Sequence, residues 1–522
     1  MKENLKGKKY GMSRRDFIST SSIAVVGIPM LPSYLSGMVG LNNMVEILPV
    51  SPLEMTKINV KMISGSMVHE DAWEGSCRFG DLDKLTYKAE MNSLHEGLKK
   101  MKDTLSTLKT PKEVKFLEPA LMHAWVEAGN PDIMLPDSQL DELAMDNKIV
   151  DLYVTGSPFI GYHIARRYRK PVCILQPSGW GVDGPAGIRL LGVEAYHATN
   201  WEELFEIIRL MRVRNAFSNT KLLNITNFPG RVPWGVISNN CNLDAVKAKY
   251  GIDYEYMNYR DFFGYIDDFE QNREFQNYAD DIAGKLLKNA GSSNMSHDNI
   301  AKSVMFYLAT ASMMKTQACN AFTIECFELC SSLNPWKRKF TPCLTHALLK
   351  DSGIPSVCEG DINALLAMMV QMYLSDKAIY MGNPNIDKNN NYLNIAHSVA
   401  SLKMSGFDKP SSEYDIQSFM RAGYGATLRH NFSQNEGEKI TIGRFDPTGS
   451  RMLISVGEVI NSDNGLAGCG CANNVSMKIP NGRAFWKASQ NYGHHLAFVY
   501  GDYTQQIEDL GELMGFGVEN IK

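Results

Sequence analysis

No Gly-x-Gly-x-x-Gly run follows a strand near the N-terminus with an acid about 20 residues on, so the dinucleotide fingerprint is missing. Gly179-Trp-Gly-Val-Asp-Gly-Pro-Ala-Gly187 is glycine-rich, but its spacing is wrong for that role and it reads as an active-site or interdomain loop. The 10 cysteines contain no Cys-x-x-Cys pair repeated at zinc-site spacing. Cys326/Cys330 and Cys469/Cys471 are the closest pairs, and buried free thiols fit them better than a disulfide framework. Neither charge dominates. Lys+Arg 53 against Asp+Glu 57 leaves a formal net charge of -4, with no basic stripe interleaved with aromatics, which gives no reason to expect nucleic acid as a partner. Charged residues are 21% and apolar residues 44%, the balance of a folded protein, and 522 residues suffice for roughly two to four domains.

The N-terminus departs from this balance. Lys2, Lys6, Lys8, Lys9 and the pair Arg14-Arg15 precede a mildly apolar run from Ser19 to about Leu41, broken by Pro29 and Pro32. A basic start, paired arginines in Ser13-Arg-Arg-Asp-Phe-Ile18 and a weak apolar segment predict a twin-arginine export signal and linker over residues 1–45. The expected location is exported and periplasmic, with an N-terminal membrane tether as the alternative. The expected partner is the twin-arginine export machinery, which carries proteins already folded, often with a cofactor inside.

The globular chain begins near Thr56. Strand-like runs at 57–63, 148–155 and 171–175 alternate with helical patterns at 83–108 and around 160–168, which predicts a parallel α/β layer. A helix from Trp201 capped by Asn200, strands at 221–226 and 252–257, and a helix at 243–250 repeat the pattern. The polar stretch ending in Gly291-Ser-Ser-Asn-Met-Ser-His297 reads as a domain joint. The expected fold class is α/β: two Rossmann-like α/β domains at 46–190 and 191–300, then an α+β domain at 301–522.

Four segments of the last third concentrate groups able to bind a metal or move protons. They are Cys358-Glu-Gly-Asp361, Gly382-Asn-Pro-Asn385 with Asn394 and His397, the stretch Tyr492 to Asp502 with His494-His495, and Glu325-Cys-Phe-Glu328 with His346 nearby in sequence. Asp, Glu and His together suit a divalent ion such as manganese. Each also has a plain structural reading. Acids gather at helix starts through the dipole, histidines sit at strand ends, and Glu325 and Glu328 lie three apart on one helix.

In their order and surroundings these segments resemble the L-fucose isomerase family, within the L-fucose/L-arabinose isomerase-like sugar isomerases. The resemblance rests on Gly353-Ile-Pro-Ser-Val-Cys-Glu-Gly-Asp361, Asn394-Ile-Ala-His-Ser398 and Gly493-His-His-Leu-Ala-Phe-Val-Tyr-Gly-Asp502. It implies a C-terminal domain of fucose isomerase type and a Mn2+ ion, or another divalent metal, held by two carboxylates and a histidine. By the resemblance, Asp361 is the second carboxylate and His495 the histidine. The first carboxylate is Glu325 or Glu328, or else Thr345-His-Ala-Leu-Leu349 overlays the glutamate-bearing helix and puts His346 in that place. Asp361, Glu325 and Glu328 are then the catalytic candidates, Asp361, His495, Glu328 and His346 the metal candidates, and Glu359, Asn394, His397 and His494 their supporting or sugar-contacting neighbours.

The implied activity is aldose–ketose interconversion of a monosaccharide through an enediolate, in a homo-oligomer. A carboxylate shuttles the proton between neighbouring carbons, and the metal polarises the oxygens. The alternatives are a related metal-dependent sugar epimerase or lyase, and an exported sugar-binding protein without catalysis.

Overall fold

The run that begins at Lys57 forms β1 (Ile58–His69) in a computed structural model, which describes residues 47–522 apart from 76–77, 128, 130–134 and 463–467. The twin-arginine segment expected at 1–45 lies outside the described residues, as does Cys77. No helix among the described residues is long and apolar enough to cross a membrane.

With β2 (Val114–Val126), β3 (Leu152–Thr155), β4 (Val172–Leu175) and β5 (Ala195–Ala198), β1 makes a five-stranded sheet in the order β2-β1-β3-β4-β5. All its pairings are parallel. Parallel neighbours need crossovers, and helices Tyr87–Thr107 and Pro158–Tyr168 supply two of them. The glycine-rich stretch at 179–187 is no loop. It forms a short 3-10 turn and the start of helix Asp183–Leu190, and Gly181 sits against the His197 ring where a Cβ would clash.

A second parallel sheet, ordered β7-β6-β8-β9, joins β6 (Lys221–Ile225), β7 (Asp253–Met257), β8 (Ala321–Ile324) and β9 (Ser356–Cys358). Two of its strands precede residue 300 and two follow it, so the boundary expected there runs through one sheet. Sequence composition changes at 300 because the long apolar helix His297–Thr316 is buried along most of its length, not because a new sheet begins.

The remaining strands are antiparallel with one exception. They are β10 (Tyr380–Asp387), β11 (Tyr392–His397), the hairpin β12 (Asp415–Met420) and β13 (Tyr424–Arg429), then β14 (Lys439–Phe445), β15 (Arg451–Asn461), β16 (Asn473–Lys478), β17 (Leu496–Tyr500) and β18 (Gly517–Ile521). The sheet runs β14-β17-β10-β11-β16-β15-β18, and β14 also pairs with β15, which closes six strands into a barrel and removes their edges. Only β18 joins in parallel, on β15. The chain is thus mixed α/β, with parallel sheets and a separate mixed sheet.

Helix Ile362–Ser375 links the two regions. Every residue from Ile362 to Leu374 is buried, and the helix packs against β9, β14, β17 and helix Trp201–Ser218. A helix apolar on all sides is stable only when covered on all sides. Leu366→Ala, at a fully buried position, is expected to lower unfolding free energy by about 2–5 kcal/mol. Urea unfolding checks this through a lower midpoint at unchanged slope.

Candidate functional site

Three parallel strands end side by side with polar groups just past their carboxyl ends: Thr226 after β6, Glu325 after β8 and Glu359 after β9. Ligand sites of open α/β sheets form at this edge. The chain makes a tight turn there. Glu359 and Gly360 both adopt positive φ, at 60° and 68°, and His495 on the facing loop does so at 68°. Two non-glycine residues in the left-handed region, each at an expense of about 1–3 kcal/mol, mark a place where surrounding structure imposes side-chain direction.

Asp361 is fully buried and caps helix Ile362–Ser375, its Oδ1 accepting from Ala364 N at 3.0 Å. Its Oδ2 accepts from Arg444 Nη1 at 2.7 Å and from His495 Nδ1 at 3.0 Å. Burial alone would raise the carboxyl pKa. The Arg444 charge and the His495 contact outweigh it and hold Asp361 well below the usual carboxylate range. Because a carboxylate only accepts, His495 Nδ1 carries the proton and Nε2 presents its lone pair. That Nε2 is buried, lacks a hydrogen-bond partner and lies 3.8 Å from Glu359 Oε1. Burial also lowers the His495 pKa, which keeps the ring neutral.

Asp361 and Glu359 are placed differently in the structure. Both Asp361 oxygens are spent on the helix cap, Arg444 and His495, so Asp361 supports the imidazole from behind. Glu359 faces the histidines. Among the described residues it is common to both groups whose ligand atoms lie within 4.8 Å of one another: Glu359 with His494 and His495, and Glu359 with Cys358 and His397. Gly235 lies against its carboxylate, so that a Cβ there would meet Glu359 Oε2 at 2.2 Å.

His397, at the end of β11, also points Nε2 at Glu359 Oε1, at 3.8 Å, with Nδ1 3.8 Å from Cys471 Sγ. Burial would lower its pKa, but the Cys471 and Glu359 charges raise it to about 10. Burial opposes ionisation of Glu359 too, yet His397, His495 and His494 bring its pKa below the ordinary value.

Glu325 is buried and caps helix Cys326–Ser331, accepting from Phe327 N at 3.3 Å and Glu328 N at 2.5 Å. Burial raises its pKa, against those bonds. Glu328 instead accepts from Thr226 Oγ1 at 3.1 Å and Asn227 N at 2.9 Å, tying its helix to the end of β6, and it belongs to neither metal-capable group. Two further candidates lie apart from these groups. His346 is buried in helix Cys343–Asp351 with Nδ1 2.8 Å from Ser356 Oγ and its ring against Phe322, and it too belongs to neither group. Asn394 is three residues from His397 on one strand, so the two take opposite faces, and Asn394 Nδ2 donates to Ser476 Oγ at 3.0 Å.

Beside Glu359 and His397 opens a cleft of about 280 Å³ walled by Leu329, Pro335, Trp336, Phe419 and Tyr424. Arg444 and Cys471 were missed by sequence reasoning. Arg444 carried a signal: one arginine inside the apolar run Lys439-Ile-Thr-Ile-Gly-Arg-Phe445, a buried charge that needs a partner.

No family model matches the sequence. Two curated proteins, both named sulfoquinovose isomerase, from Priestia aryabhattai and Priestia megaterium (strain ATCC 12872 / QMB1551), are each similar to this chain. They share 21% identity over 322 residues, 60% of this chain and 67% of the relative. The similarity is to sugar isomerases.

Asp361→Asn tests the buried network. The mutation leaves Arg444 buried without its counter-charge and is expected to destabilise the fold by about 3–5 kcal/mol at neutral pH. The sign follows from linkage. A carboxylate whose folded pKa is depressed stabilises above its unfolded value of about 3.9, and this is lost as pH falls through the lower folded value. In urea unfolding the gap between wild type and Asp361→Asn should be full at pH 7 and shrink below about pH 4.

Proposed function

We infer that this chain is a metal-dependent aldose–ketose isomerase acting on a monosaccharide. The observation that carries the reading is the buried, unpartnered His495 Nε2, held in its lone-pair tautomer by Asp361 and aimed at Glu359. Glu359, His494 and His495 would hold the ion. Imidazole and carboxylate donors within 4.8 Å of one another fit a divalent cation such as Mn2+, and so does the orphaned nitrogen. When bound, such an ion polarises the carbonyl and hydroxyl oxygens of a sugar.

The chain's own groups do the rest. Glu325, at the neighbouring strand end, lines a second, more polar pocket with Thr226, Glu328 and Gly360; burial raises its pKa, which suits a group that takes a proton from one carbon and returns it to the next. Asp361 keeps His495 in one tautomer. The apolar wall of the cleft, with Trp336 and Tyr424, excludes water from the sugar face. The two relatives named for sulfoquinovose support the sugar class, and that sugar belongs in the first substrate panel.

The reading includes a homo-oligomer, which would bury the exposed Phe228, Trp234 and Ile237 beside the site. It also includes export of the folded, metal-loaded chain by the twin-arginine machinery.

Calorimetric titration of the stripped protein with Mn2+, together with elemental analysis, is the direct test. One ion per chain is expected. Glu359→Gln or His495→Ala should remove binding, and Asp361→Asn should weaken it about 10–100-fold. Glu325→Gln should keep the ion yet lose about 100-fold or more of the sugar interconversion seen by NMR across a panel of aldoses and ketoses. A protein that binds no divalent ion and interconverts no sugar would overturn the reading and favour a sugar-binding protein without catalysis.

A further inference from the structure

The cleft beside Glu359 is lined by five of the protein's cysteines: Cys326, Cys330, Cys343, Cys358 and Cys471. The proposed isomerase chemistry uses none of them. Two are in closer contact than neighbouring thiols need be: Cys326 Sγ lies 3.1 Å from Cys358 Sγ. Cys343 and Cys471 are separated by the Ser398 hydroxyl, at 3.2 Å from one and 3.8 Å from the other.

The close pair arises from strand register. β8 and β9 run parallel with Ile324 opposite Cys358, so Cys326, two residues past Ile324, reaches over the end of β9. Each cysteine adjoins a carboxylate of the site, Cys326 next to Glu325 and Cys358 next to Glu359. They also differ in access. Cys326 is half-buried on the cleft wall, whereas Cys358 is buried.

We propose that Cys326 and Cys358 are a reversible dithiol–disulfide pair, an oxidative modification site that ties the turn bearing Glu325 to the turn bearing Glu359. The oxidant is a low-molecular-weight disulfide entering by the cleft. Cys326, as thiolate, attacks one sulfur of it. That S–S bond breaks, one small thiol leaves, and a mixed disulfide remains on Cys326. Cys358 attacks Cys326 Sγ, its proton passing to the departing small thiol. The Cys326–Cys358 bond forms and the second small thiol leaves. The two protein thiols lose two electrons and two protons, and the small disulfide gains both.

The closed loop spans the helix and strand segments between positions 32 apart, which limits the unfolded chain and stabilises the oxidised form. The pair also sets the spacing of two carboxylates, so oxidation acts on the site without occupying it.

The test uses the full-length, metal-free protein, so its result stands whether or not the chain is an isomerase. After incubation with excess oxidised glutathione, remaining thiols are alkylated and peptides mapped without reduction. The expected result is one cross-linked peptide joining Cys326 to Cys358, both protected from alkylation and both released by dithiothreitol. The melting temperature should rise on oxidation. Cys358→Ser should trap one glutathione on Cys326, and Cys326→Ser should leave Cys358 unmodified with no rise in melting temperature. If either variant fails to fold, the wild-type map still decides. Free alkylation of both thiols after the oxidant, or cross-links scattered over other cysteines, would overturn the proposal.

Discussion

A single ion pair holds the site region together. Asp361 and Arg444 meet at 2.7 Å with both side chains wholly withdrawn from water. Neither charge is tenable there alone, since removing one partner of a buried pair leaves the other uncompensated. Arg444 spends its remaining donors on structure. Nε donates to Tyr492 O at 2.6 Å, Nη1 also to His495 O at 3.1 Å, and Nη2 to Ser238 Oγ at 3.2 Å. One guanidinium thereby fastens the start of the central helix, the loop before β17 and the loop beneath Gly235. Gly493 is needed in that loop because its φ of 90° and its contact with Ser238, 2.1 Å from a Cβ placed there, leave no room for a side chain.

The consequence reaches the chemistry through a tautomer. An ionised Asp361 can only accept, so the His495 proton must sit on Nδ1, and the nitrogen that faces Glu359 is left with its lone pair. The positive φ of Glu359 and of His495 turns the two side chains toward each other from different parts of the fold, one from the end of a parallel sheet and one from the loop before β17. The backbone strain at these residues is balanced by the network behind them, the usual relation between a strained site and a rigid scaffold.

Much of the scaffold was legible in sequence. Alternating and continuous apolar runs found five of the nine strands of the two parallel sheets, and Asn200 was a visible helix cap that accepts from Glu203 N at 3.0 Å. What local pattern could not supply was partnership across long separations. Asp361 and Glu359 are two residues apart, and nothing local says which one turns inward. The choice is made by Arg444, 83 positions away. Helix capping did offer a clue, because an N-cap aspartate commits one oxygen to the backbone three residues on. Strand parity likewise separates Asn394 from His397. The boundary expected at 300 runs through a sheet for a similar reason: a parallel sheet can recruit strands from distant chain segments, and β6 pairs with β8 across the helices between them.

Of the histidines around Glu359, His495 and His397 are not equivalent, and their surroundings say why. His495 is backed by a carboxylate that accepts its proton bond, so it is neutral with a directed lone pair. His397 is backed by Cys471, a thiol whose own pKa is pushed up by burial but drawn down further by His397, so proton and charge favour the ring. A cationic ring offers two donors and no lone pair. His397 then stands as the counter-charge of Glu359, a half-buried carboxylate whose pKa it helps to lower.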